Sequence, residues 1–356
     1  MVTVGRSQWP AWGAPRHAPT RVAGLHLAGE PPRSAGRGAL LTLVAMPNQK
    51  AASALHRPSI GRRRFVAAAA GTAALPWLAG CSTPLPLNTS APASADGAAR
   101  LLASAQAHGL AAYRNLTDIN VSYGGQWRPL INRVQPEVVD AGYRGAAQDR
   151  LLPALGVVAQ SHTGELGRKH VFWQRPGPGL AAVPGEVGVW FNGVASTSEP
   201  LRTAAAVVAE CYGLFLLGPL WLAGRGLPAW LDGTERVDGR LCDVLHLWLR
   251  PGLGPVPADR VTLCIDRADD TTRRMRFTLE GFAGTRGAVA QTDTFEHQRR
   301  FGVLWPMRLF ESVVHPLYLP AHDWFVSGLD VNRGHGMQAL RGPAFTGAAA
   351  APAATL

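Results

Sequence analysis

Leu241-Cys242-Asp243-Val244-Leu245-His246-Leu247-Trp248-Leu249 is followed by Val261-Thr262-Leu263-Cys264-Ile265-Asp266, and then by Arg274-Met275-Arg276-Phe277-Thr278-Leu279. In the third segment Met275, Phe277 and Leu279 alternate with Arg274, Arg276, Thr278 and Glu280. That period of two gives an extended chain one apolar face and one wet face. The segments follow one another with no room for a long crossover, so they pair antiparallel. The stretch therefore predicts a meander whose one face is buried.

Working outward, strand-like segments occupy residues 117–123, 138–146, 156–161, 169–174, 187–192, 233–250, 260–266, 274–281, 287–295, 303–314 and 323–330. Gly, Pro and Asp turns separate them. The expected fold class is α+β: a single curved antiparallel sheet of about eleven strands. Two segments follow a helical period instead. Residues 96–112 place Leu101, Leu102, Ala105 and Leu110 on roughly one helix face. In residues 201–221, the run from Ala204 to Leu217 is apolar on every side except for Glu210. Such a helix is either buried or membrane-spanning. The run to Ala223 approaches the length of about 20 residues that a span requires. Glu210 near a bilayer centre would cost about 2.5–3.5 kcal/mol, and Gly218-Pro219 interrupts the helix. A helix covering the concave face of the sheet accounts for both features, with the membrane span as the alternative.

The net charge of +11 sits mostly in the leader: residues 1–80 hold ten Lys/Arg against Glu30 alone. The remainder is near neutrality and has no basic cluster interleaved with aromatics, which argues against a nucleic-acid partner. Catalytic signatures are absent: no Gly-x-Ser-x-Gly, no His-Glu-x-x-His, no Cys-x-x-Cys and no Walker loop. Gly224-Arg225-Gly226-Leu227-Pro228-Ala229 only echoes a dinucleotide loop, because it follows an apolar helix and carries Pro where a helix should start. No cofactor, metal site or catalytic residue is assigned. His297, His315, His322 and His335, with Glu311 and Asp323, are the groups from which metal or acid/base chemistry would have to come. Polar groups are densest over 322–334, and Glu210 is a candidate buried partner. Cys211, Cys242 and Cys264 are either buried thiols or, for Cys242 and Cys264, a disulfide across neighbouring strands.

Near the N-terminus, Gly61-Arg62-Arg63-Arg64-Phe65-Val66 resembles the twin-arginine export motif, with Arg62 and Arg63 as the pair and Phe65 at the apolar position. The apolar run over 65–79 is too short to span a bilayer core of about 30 Å. It ends on Leu78-Ala79-Gly80-Cys81, similar to the lipobox at which bacterial lipoproteins are acylated and cleaved. Cys81 is then the lipid-attachment residue and the mature N-terminus. Each buried acyl CH₂ contributes about 0.8 kcal/mol and a single chain anchors only marginally, so the two or three chains of a lipoprotein are what hold it. By the same resemblance, the non-acidic Ser82 implies sorting to the periplasmic face of the outer membrane. The resulting organisation is an over-extended start over 1–45, a signal peptide over 46–80, a Pro/Ser/Ala tether over 81–95, one domain over 96–341 and an unpatterned tail over 342–356.

Val237-Asp238-Gly239-Arg240-Leu241-Cys242-Asp243-Val244-Leu245, with the later Ile265-Asp266, is similar to the repeated hairpin of the LolA/LolB-type half-barrel superfamily of periplasmic lipoprotein carriers. Phe301-Gly302-Val303-Leu304-Trp305-Pro306-Met307-Arg308-Leu309 resembles a Gly-x-x-x-Pro strand entry of the same proteins. The resemblance implies a concave apolar half-barrel with a helix as lid, and an acyl-chain cavity lined by Phe215, Leu216, Trp221, Trp248, Phe277 and Trp305. It implies a membrane-anchored, non-enzymatic lipoprotein that binds a lipid or other amphiphile. During export its partners would be the twin-arginine translocase and the lipoprotein-processing enzymes. A metal- or carboxylate-dependent periplasmic hydrolase, and an assembly factor offering a sheet edge to a protein partner, are the alternatives.

Two substitutions test the leader. Cys81→Ala is expected to release the protein from the membrane fraction, whereas continued attachment would make the run from Ala204 to Ala223 a true span. Replacing Arg62 and Arg63 together by Lys is expected to abolish export, read as loss of the periplasmic form.

Overall fold

The computed structural model describes residues 93–177, 185–345 and 348–350. Helix α1 (Ala95–Ala107) begins at Ser94, whose hydroxyl accepts the Gly97 N–H at 3.0 Å, and carries Asp96 in its first turn, where the helix dipole favours a negative charge. Gly109, at φ 94°, ends it and starts the single turn α2 (Leu110–Tyr113). Strand β1 (Ile119–Trp127) follows, then the short turns α3 (Pro129–Val134) and α4 (Pro136–Val139). Next come β2 (Ala146–Leu152), β3 (Val157–Gly164), β4 (Gly167–Gln174), β5 (Glu186–Phe191) and the two-residue β6 (Val194–Ala195).

From β6 the chain crosses by α5 (Glu199–Leu217) and α6 (Pro219–Leu222) to β7 (Ala229–Val237). It then returns through β8 (Arg240–Leu249), β9 (Asp259–Asp266), β10 (Thr272–Thr278) and β11 (Val289–Phe295). A separate two-stranded sheet, β12 (Gln298–Arg300) with β13 (Val303–Trp305), precedes β14 (Arg308–His315), β15 (Leu319–Val331) and the turn α7 (Met337–Leu340).

Thirteen strands form one sheet in the order β6-β5-β4-β3-β2-β1-β15-β14-β11-β10-β9-β8-β7, and every pairing is antiparallel. The sheet is not closed: β6 and β7 are its two edges, and α5 is the connection between them. This is the open α+β half-barrel that the meander predicted. Asn192-Gly193 joins β5 to β6 and Asp238-Gly239 joins β7 to β8, all four residues at positive φ (51° and 84°, 48° and 80°). That backbone matches the twist of tight hairpins and selects Asn-Gly and Asp-Gly.

One face of the sheet and α5 make the main core. Leu247 lies opposite Val261, Val261 opposite Phe277, and Phe277 opposite Ala290, a buried row across four strands. All fourteen residues from Ala204 to Leu217 are buried, so the apolar run is a core helix laid over the sheet. The other face of β10 and β11 is polar, with Arg276 bonded to Glu235 at 2.6 Å and to Gln291 at 2.8 Å.

Several expected boundaries are corrected. Residues 138–146 are not a strand: Pro136 presets a helical turn, Asp140 reverses the chain at φ 48°, and the strand begins only at Ala146. This strand carries Asp149 and Arg150, both buried, so its polar residues masked the alternation. The segment 233–250 is two strands divided at Asp238-Gly239, and 303–314 is two strands divided at Pro306, which has no N–H to donate. The first helix breaks at Gly109, and Leu102 points to solvent, 45% exposed. Part of the tail is seated on the outer face: Phe345 packs with Leu340 and Phe172, and the Leu329 N–H donates to Ala350 O at 2.6 Å.

His108 is buried, accepts the Thr272 N–H at Nε2 (3.0 Å), and burial with the neighbouring His297 lowers its pKa from 6.5 to about 3. Between those values the unfolded chain holds a proton that the folded chain refuses, so this contribution to stability is whole above pH 6.5 and declines as pH falls. Burial raises Asp149 to about 7, Asp259 to about 6 and Glu311 to about 8, which acts in the opposite sense. The stability difference between wild type and His108→Gln is therefore the quantity to follow. Denaturant unfolding is expected to shift it against the wild type by about 1.6 kcal/mol between pH 6.5 and 5; a constant difference would mean that His108 takes up its proton in the fold as readily as in the unfolded chain.

Candidate functional site beneath the crossing helix

Helix α5 has one charge among fourteen buried residues, and that carboxylate is fully partnered. Glu210 accepts the indole N–H of Trp173 from β4 at 2.8 Å and that of Trp221 from α6 at 3.0 Å. Arg175, just past β4, reaches it at 3.0 Å, and Arg225 lies 3.8 Å away. The Arg175 guanidinium also stands 4.6 Å from the centre of the Trp221 ring. Burial and the adjacent Arg175 lower Arg225 to about 10, which leaves it protonated at neutral pH. Gly213 makes room for this arrangement, since a Cβ there would lie 3.0 Å from the Trp221 ring. The cluster ties helix, sheet and return turn to a single side chain.

Along one flank of α5 run three small voids. The first, about 20 Å³, touches Trp127, Arg144, Tyr212 and His322; the second, about 40 Å³, touches Val208, Cys211, Tyr212, Phe215 and Glu311; the third, about 10 Å³, touches Phe215, Leu216 and Met275. Tyr212 borders the first two and Phe215 the last two, with ring centres 5.9 Å apart. At roughly 10–15 Å³ per water, no void holds more than a few waters as it stands. The aromatic series continues along the sheet: His322 is stacked between Trp127 (4.2 Å) and Trp324 (4.3 Å), and Phe215 meets Phe277 at 5.3 Å. A larger groove, about 690 Å³, lies on the opposite face of the sheet beside Gln126, Arg308, Asp323 and the half-exposed Phe325.

Of the six residues expected to line a cavity, Phe215, Leu216, Trp221, Phe277 and Trp305 share the main core, and all are buried. Trp248 does not join them. It alternates with Leu247 and Leu249 onto the opposite face of β8, where Trp230 stands 6.4 Å from it. Arg62, Arg63, Phe65 and Cys81 lie outside the described residues, as do residues 1–45 and 46–80 and most of the 81–95 tether. The C-terminal histidines do not converge: His297 faces His108 at 6.3 Å, His322 is held between two tryptophans, and Asp323 lies 3.4 Å from Arg308. Among the described residues no three His, Cys, Asp or Glu side chains are grouped as a metal ion would require. Cys211, Cys242 and Cys264 are unbridged buried thiols; Cys242 faces Asp266 across the ladder and Cys264 faces Val244, which offsets the two sulfurs. Sequence reasoning missed Trp127, Arg144 and Tyr212. Arg144 lay inside the misread segment 138–146, and Tyr212 was one apolar residue in a run of them.

No protein-family model and no curated protein matches the sequence. Among solved structures, the chain is similar to a DUF1329 family protein from Desulfovibrio piger, at 11% identity over 70% of this chain and 100% of the other, with a TM-score of 0.45. It is similar also to a LolA superfamily protein from Nitrosomonas europaea, at 11% identity over 68% and 96%, TM-score 0.43. The lipoprotein LppX from Mycobacterium tuberculosis is 16% identical over 51% and 88%, TM-score 0.21.

Glu210→Ala would leave two indole N–H groups and the Arg175 guanidinium without their acceptor. Breaking a buried pair from one side costs about 3–5 kcal/mol, the loss expected in denaturant unfolding. A loss below about 1 kcal/mol would mean that water replaces the carboxylate.

Proposed function

We propose that this chain is an envelope lipoprotein, anchored through acylated Cys81, whose half-barrel binds an acyl chain or similar amphiphile without catalysing a reaction on it. The observation that supports this reading most directly is the line of three voids beside α5, with Tyr212 bordering the first and second and Phe215 the second and third. Swinging those two rings aside would join the voids into one apolar channel between helix and sheet. A chain of ten methylenes taken from water would then contribute on the order of 8 kcal/mol, enough to offset the repacking of two aromatic side chains. The pinning of α5 at Glu210 leaves this flank as the compliant side of the core. Anchoring at the outer membrane, through the tether, would place the channel next to a source of acyl chains.

The test is titration of the delipidated full-length protein with a fluorescent long-chain fatty acid, alongside mass spectrometry of lipid extracted before delipidation. Saturable one-to-one binding is expected, with Phe215→Trp, which fills the second and third voids, weakening it at least tenfold. Absence of saturable binding to the wild type would overturn the proposal, and unaltered binding to Phe215→Trp would remove the channel from it.

A further inference from the structure

The ladder between β1 and β2 runs from Ile119 opposite Leu151 to Tyr123 opposite Ala147 and then stops. Beyond it, Gly124 to Trp127 pair only with β15, from Gly124 opposite Phe325 to Trp127 opposite His322, and Ala146 pairs only with Thr163 of β3. The two neighbouring strands therefore part, and the sheet wall has a slit in it. Its margins are small residues, and Gly125, Gly145 and Ala146 are exposed there. Directly behind it lies the first of the three voids, and Arg144 stands in that opening.

The bonding of Arg144 is unusual for a half-buried cation. Its Nε donates to Val139 O at 2.7 Å, Nη2 to Val138 O at 3.1 Å, and Nη1 meets the His162 ring at 3.0 Å. Its guanidinium carbon lies 5.7 Å from the Trp127 ring centre. A guanidinium has five N–H donors, so two remain beyond these three contacts. Every one of these partners is uncharged, because burial and the charge of Arg144 hold the His162 pKa well below its usual value. Among the described residues no carboxylate oxygen lies within ion-pair distance of Arg144. Asp149 and Glu311, the acids within its field, are raised by burial to about 7 and about 8, so neither supplies a full counter-charge at neutral pH. A cation without a counterion, held at the mouth of an apolar channel, is costly unless an anion completes it.

We propose that the slit between β1 and β2 is the head-group site for the bound amphiphile, and that Arg144 selects an anionic head, a carboxylate or a phosphate. The acyl chain would pass the slit and run along α5 past Tyr212 and Phe215, while the head stays between Gly125 and Gly145 with two guanidinium N–H groups directed to its oxygens. This rests on the channel reading above, and the two fail separately.

The experiment measures binding of palmitate, hexadecyl phosphate, hexadecanol and inorganic phosphate to the delipidated full-length protein, by displacement of an uncharged fluorescent alkane. Palmitate and hexadecyl phosphate are expected to bind at least tenfold tighter than hexadecanol. Arg144→Gln should abolish that preference, lowering palmitate and hexadecyl phosphate affinity at least tenfold more than hexadecanol affinity, and Arg144→Lys should retain part of it. Equal affinity of wild type for palmitate and hexadecanol would overturn the head-group assignment and leave the channel standing. Failure of all three amphiphiles would overturn both. Inorganic phosphate binding as tightly as hexadecyl phosphate would make Arg144 a free-anion site and overturn its role in recognising an amphiphile.

Discussion

A carboxylate carried into an apolar core must be met there by its own partners, and Glu210 is met from three directions at once. Trp173 and Arg175 come from the end of β4, Trp221 from the turn after α5, and Arg225 from the segment leading to β7. The sheet has two edges that never touch, and the chain passes between them only through α5. A helix apolar on all sides would be free to rotate or slide in that position, because dispersion and burial have little directional preference. The carboxylate removes that freedom. It fixes which residues of α5 face β4 and, by consequence, which face β10, β14 and β15.

Fixing one flank gives the other its character. Opposite the Glu210 cluster the helix meets the sheet through aromatic rings, and close packing there is incomplete, as the three voids show. Aromatic side chains turn about two torsions and move as plates, so a wall built of Tyr212 and Phe215 can open with little change in the backbone. A polar cluster on one flank and aromatic contacts on the other give α5 two unlike sides.

The sheet was legible in the sequence because most strands expose one face and bury the other, so Met275 and Phe277, alternating with Arg274 and Arg276, announce their side directly. The crossing helix was legible because Glu210 and the Gly218-Pro219 break fit a long apolar run in a core better than a membrane span. Legibility ended where burial was two-sided or a turn was unusual. In β2 the buried Asp149 and Arg150 erased the alternation, and Asp140 in a left-handed conformation could not be anticipated from a segment containing Val138 and Val139. The assignment of Trp248 shows a different failure. Leu247, Trp248 and Leu249 are all buried, and only the register, with Leu247 opposite Val261, decides which of them face the helix.

The same register determines where the wall can open. The strands β1 and β2 belong to the outgoing half of the chain, whereas β15, the other neighbour of β1, belongs to the returning half. The β1–β15 pairing runs the full length of β1, from Ile119 to Trp127, so the two halves are joined at the centre of the sheet more extensively than β1 is joined to its own successor. The helical turns between β1 and β2 divert the chain before the β1–β2 ladder can continue, and Arg144 pins the second turn by bonding Val138 O and Val139 O. The opening is thus a product of connectivity: a meander interrupted by eighteen residues between Trp127 and Ala146 leaves its strands apart at that end. A residue placed there by the fold to hold the diverted backbone has, by the same geometry, its remaining donors at the entrance to the core.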